Sequence, residues 1–140
     1  MRSSPIIAAL LLSLAGFAVA AQERTPAPAG ARVYFIEPQD GARIRGPLTV
    51  RFGLTGMGVA PAGVQFPDSG HHHLLIDADL PPADQPIPAD ERHVHFGKGQ
   101  TETVLNLKPG RHTLQLVLGD HLHRLHQPPV VSARISVTVK

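Results

Sequence analysis

Histidine is the residue type whose count and spacing could do chemistry in this chain of 140 residues, which has nine histidines and no cysteine. They form three groups, His71-His72-His73, His93-Val94-His95, and His121-Leu122-His123 with His126, and leave His112 apart. Imidazole titrates near neutrality and ligates metal ions. In a strand, residues two apart share a face about 6.6 Å from each other, twice the rise, so both imidazoles of an H-x-H pair can reach one ion. Each group contains that spacing.

Strand parity sorts the histidines. Val94 and Phe96 prefer a core, which sends His93 and His95 to the opposite face, and Leu122 does the same for His121 and His123. Leu74 and Ile76 carry His72 inward and leave His71, His73 and Asp77 outward. The candidate metal ligands are therefore His71, His73, His93, His95, His121 and His123, of which four would complete a tetrahedral site. His72, and His112 in parity with Leu114, Leu116 and Leu118, read as structural. The competing reading of the six is that they hydrogen-bond loop backbones, since buried polar groups need partners.

Donor chemistry narrows the ion. Without thiolates, and with Met57 as the one thioether left after processing and itself a core-filling side chain, imidazole suits Zn or Cu(II) better than Cu(I). Catalytic patterns are weak. The serines beyond the leader, Ser69, Ser132 and Ser136, stand in no G-x-S-x-G, and Lys98 with Gly99 lacks P-loop spacing. Asp77 and Asp79 read as carboxylates near a strand end. Aromatic residues make up 4%, Trp is absent and the formal charge is +2, so no nucleic acid is expected as a partner.

The elements that must position these histidines are strands. Alternation recurs at Val33 and Phe35; Leu48, Val50, Phe52 and Leu54; Leu74 and Ile76; Leu105 and Leu107; Leu114, Leu116 and Leu118; and Ala133, Ile135, Val137 and Val139. Gln39-Asp40-Gly41 and Lys108-Pro109-Gly110 are turn signals, and the prolines from Pro81 to Pro88 oppose a helix. The expected fold is all-β, an antiparallel immunoglobulin-like sandwich of about seven strands, with a small β-barrel as the alternative. The 13 glycines and 14 prolines stay below the ~25–30% of low-complexity chains.

Residues 1–20 read as a signal peptide: Arg2, an apolar run from Ile6 to Val19, and Ala18-Val19-Ala20 as an A-x-A cleavage site. Residues 21–31 read as a Pro/Ala-rich tether, and 32–140 as the His-rich domain. The expected location is periplasmic, with no stable membrane insertion once the signal is cleaved. With no cysteine to form disulfides, the fold must rest on its core or a bound ion.

The segments GHHHLLID (70–77), HFGKGQTE (95–102) and LKPGRHTLQLVLGDHLHRLHQPPV (107–130) resemble the bacterial domain-of-unknown-function family 4399, over most of residues 32–140. That resemblance implies an exported single domain. HVHFG (93–97) is similar to the strand motif with which copper-zinc superoxide dismutases supply two copper ligands, though without that family's cysteine pair or its other histidine spacings. Three functions follow in order: an exported non-catalytic domain binding Zn or Cu(II); an envelope interaction or structural module without metal; and a copper-zinc metalloenzyme of dismutase type.

Overall fold

The computed structural model describes residues 22–140, and the expected signal peptide over 1–20 lies outside the described residues. Among the described residues nine strands follow in order: β1 (Arg32–Glu37), β2 (Ala42–Ile44), β3 (Leu48–Thr55), β4 (Gly58–Val59), β5 (Ser69–Ile76), β6 (His93–His95), β7 (Glu102–Leu105), β8 (Gly110–Gly119) and β9 (Ile135–Val139). Among the described residues there is no helix, and so none long and apolar enough to cross a membrane. Strands β1, β3 and β7 make one sheet in that order; the other runs β2-β9-β8-β5-β4, with β6 also paired to β5. The architecture is the expected all-β sandwich. Its two additional strands, β2 and β4, are short and pair in parallel with β9 and β5, while the other pairings are antiparallel.

Alternation builds the core between the sheets. Val33, Val50 and Phe52 from the small sheet meet Leu74, Leu116, Leu118 and Val137 from the large one, all buried in one cluster. Met57 packs at its edge, as its apolar loop suggests. The run containing Leu105 and Leu107 is displaced: β7 ends at Leu105, and Leu107 packs on the core from beyond the strand. Pro109 disfavours helical backbone at Lys108 and belongs to the turn that opens β8.

The far face of the large sheet is covered. Leu75 and Val117 pack there with Ile87 and Leu125 in a second apolar cluster, supplied by the connections after β5 and after β8. All eight residues of β5 are consequently buried. Parity assigned the two faces of this strand correctly, but the face expected to point outward lies beneath a second layer. The segment read as a tether is tied to that layer: the Ala27 amide donates to the Gln127 carbonyl at 3.0 Å, and the Gln127 amide to the Thr25 carbonyl at 2.9 Å.

Candidate metal centre

Register brings the histidines together. On β5, His71 and His73 share the covered face, and His73 stands opposite His95 on β6. His71 stands opposite Gly119 at the end of β8, so the turn that follows leans over the same spot and adds His123. The six ring-to-ring distances among His71, His73, His95 and His123 lie between 4.7 and 6.2 Å. His71, His95 and His123 each offer a ring nitrogen, and these atoms lie within 4.8 Å of one another, a group that could hold a metal ion. Bonds of about 2.0–2.1 Å to a tetrahedral ion would set ligand nitrogens about 3.3 Å apart, a modest contraction.

His73 completes the cluster, with its Nε2 3.0 Å from the Nε2 of His71. A neutral imidazole carries one proton, so one ring of this pair donates and the other accepts. The accepting ring must then carry its proton on Nδ1, and neither Nδ1 has a hydrogen-bond partner among the described residues. His95 Nε2 is likewise buried without one. Such groups are costly to bury unpaired, and an ion would give a partner to those ring nitrogens that carry a lone pair, as His95 Nε2 does when its proton is on Nδ1.

The electrostatics favour the ligating form. Burial, reinforced by the neighbouring imidazoles His123 and His95, lowers the pKa of His71 to about 4. Burial and the same cluster lower that of His73 to about 2. His95 is also lowered, by burial and then by His123. These rings are neutral at pH 7, as metal ligands must be. Asp120 is fully buried beside them. Burial alone would raise its pKa, but the Arg124 amide, the Thr25 hydroxyl and the Leu122 amide outweigh this and lower it.

Two expected ligands lie outside the cluster. His93 sits one pleat along β6, opposite Leu75, and its Nδ1 is 2.8 Å from Asp90 Oδ1. His121 belongs to a turn, not a strand, so a spacing of two does not hold it on the face of His123. Its carbonyl accepts the Gly63 amide, and Leu122, expected in the core, is 41% exposed. Of the HVHFG pair, only His95 joins the cluster.

The remaining histidines lie apart from the cluster. His72 packs against Phe52 with ring centroids 5.1 Å apart. His126 Nδ1 lies 3.2 Å from the Leu118 carbonyl oxygen. His112 lies 2.7 Å from Asp77 Oδ2 through Nδ1 and 2.8 Å from the Lys108 carbonyl oxygen through Nε2. Asp79 pairs with Arg134 at 2.8 Å.

Two glycines beside the site escape a sequence reading. A Cβ on Gly119 would stand 2.7 Å from His73 Nε2, and one on Gly97 would intrude on the His95 ring. Both leave the space the imidazoles fill. The signal was available only in part: each glycine lies within a histidine-bearing segment, but close approach of a ring is a three-dimensional fact.

No curated protein and no solved structure matches the chain. Residues 50–140, which include all four clustered histidines, Gly97 and Gly119, match the family described as a domain of unknown function (DUF4399), and the chain is a member of that family.

Proposed function

We propose that this protein is an exported, non-catalytic periplasmic domain that binds one divalent ion, Zn or Cu(II), through His71, His73, His95 and His123. The observation that carries the reading is the convergence of four imidazoles from β5, β6 and the turn after β8: ring nitrogens of His71, His95 and His123 lie within 4.8 Å of one another, His73 Nε2 is 3.0 Å from His71 Nε2, and His71 Nδ1, His73 Nδ1 and His95 Nε2 are buried with no partner among the described residues. An all-imidazole donor set is of intermediate softness, and the Irving–Williams order places Cu(II) above Zn on it. Export rests on Arg2, the apolar run and Ala18-Val19-Ala20.

Calorimetric titration of the metal-free protein at neutral pH tests the reading. One equivalent of Zn or Cu(II) should bind with heat, and the melting temperature should rise, because an ion that binds only the folded chain stabilises it by mass action. Neither heat nor a melting shift with either ion would leave the histidines as structural groups. Export is checked by the mass of the periplasmic form: a terminus at Ala21 or Gln22 supports it, and an intact Met1 in the membrane fraction opposes it.

A further inference from the structure

We infer that Asp120 is the positioning residue of this centre, folding the turn that aims His123 at the other three imidazoles. The inference rests on the metal-binding reading for its purpose, but its geometry stands without an ion. Asp120 begins the turn 120–124 immediately after β8. Its Oδ1 accepts the amides of Leu122 and Arg124, each at 2.9 Å. Its own amide donates to the Arg124 carbonyl at 2.9 Å, and its carbonyl accepts the His123 amide at 2.8 Å. Four hydrogen bonds from one residue thus close the turn on both sides of His123.

What the turn achieves is visible in the backbone of His123. Its φ is +62°, a left-handed conformation uncommon for a residue with a side chain and sustained only where surrounding bonds over-determine it. In that conformation the His123 ring lies 5.0 Å from the His71 ring. The second carboxylate oxygen is held as well: the Thr25 hydroxyl donates to Asp120 Oδ2 at 2.8 Å, which reaches from the N-terminal segment into the turn. From the other side, the Ile87 amide donates to the His123 carbonyl. The Asp120 side chain is fully buried, and a buried carboxylate is retained only where donors surround it. Here two of the donors, the Leu122 and Arg124 amides, belong to the ligand loop itself.

Asp120 touches no expected metal position, so its effect must travel through His123, and the conservative variant separates position from charge. In Asp120→Asn, Oδ1 still accepts both amides. Asp120→Ala removes the acceptor. With Cu(II) as the probe, electron paramagnetic resonance of the wild type and of Asp120→Asn should show the same four-nitrogen coupling. Asp120→Ala should lose one nitrogen and bind roughly 10–100-fold more weakly, the usual scale for losing the support of a ligand.

The same comparison is made without metal by nuclear Overhauser contacts between the His95 and His123 rings, present in wild type and Asp120→Asn and absent in Asp120→Ala. Thr25→Val, a milder change at Oδ2, keeps the test open should Asp120→Ala fail to fold, and should weaken the ring contact in part. Wild-type ring contacts and coupling in Asp120→Ala, or equal damage from Asn and Ala, would overturn the inference. A wild type that binds no Cu(II) but shows the ring contacts depending on Asp120 would remove the metal reading while leaving the positioning role intact.

Discussion

Three consecutive histidines on β5 fall on two faces of one sheet and meet opposite fates. His72 enters the main core against Phe52, with neither ring nitrogen bonded among the described residues. His71 and His73 enter the second layer, where each meets other imidazoles within about a ring's width. All three are fully buried and all three have lowered pKa values. Burial alone therefore does not separate a candidate ligand from a packed side chain. What separates them is whether other donors converge on the same point, and that depends on the partner strand's register and on the turn after β8.

The largest effect that could break this contrast is on metal affinity. Replacing His71 and His95 together by Ala removes ligands from two strands and should abolish measurable Zn or Cu(II) binding, a loss of more than about 100-fold. His72→Leu should leave affinity within about threefold. Calorimetry on the two variants decides between them, and comparable losses would mean that all of β5, and not one face, makes the site.

Next in size is crowding at the glycines. Gly119→Ala places a methyl group 2.7 Å from His73 Nε2 and 3.3 Å from the Ile87 Cδ1. Overpacking of this kind costs about 1–3 kcal/mol, and the His73 ring must shift. The variant should lower the melting temperature and weaken metal binding together. Thermal unfolding with and without Zn checks this, and a variant that loses stability while keeping wild-type affinity would take His73 out of the ligand set.

The core face offers a change in the opposite direction. His72 has no partner for either nitrogen among the described residues, and replacing an unsatisfied buried polar group by an apolar one of similar size is often neutral or stabilising, by about 1 kcal/mol. His72→Leu should therefore equal or exceed the wild type in denaturant midpoint. Its pH dependence follows from the same burial, which lowers the His72 pKa to about 4. The unfolded chain takes up a proton near 6.5 that the folded chain refuses, so stability is highest above 6.5 and falls as pH drops toward 4. Since His71 and His73 impose the same trend, the variant should soften the acid loss, not remove it. Denaturant midpoints at pH 7 and pH 5 measure the difference.

Alternation and turn chemistry made the sandwich and its inner face legible, because a period of two reports on side-chain direction within a strand. The same parity placed His71, His73 and His95 on one side and His72 on the other. It failed where its premise failed. His121 and His123 lie in a turn, where a spacing of two implies no common face, and the H-x-H at His93 has its first ring displaced one pleat to Asp90. The second layer was hidden because Ile87 and Leu125 come from proline-rich or polar segments with no period of their own. Gly97, Gly119 and Asp120 were unreadable for a related reason: their roles lie in what approaches them across the fold.

The smallest expected effect concerns His112, the histidine that stands apart from the three groups in the sequence. His112 has both ring nitrogens in hydrogen-bond range, of Asp77 and of the Lys108 carbonyl oxygen, and this suits a ring protonated on both. Its pKa is raised, first by the bond to Asp77 and then by the Lys108 carbonyl, with burial opposing. Folding then favours the protonated form, so the contribution is fully present below the unfolded value near 6.5 and is lost as pH rises through the higher folded value. The Asp77 side chain is 43% exposed, and solvent-screened pairs of this kind are worth about 0.2–1 kcal/mol. His112→Ala should accordingly lower stability by that modest amount at pH 5.5 and by less at pH 8, the reverse of the acid sensitivity expected from His72. Denaturant unfolding at the two pH values is the test. A larger loss at pH 8 would mean that His112 acts through packing against the strand end and not through its charge.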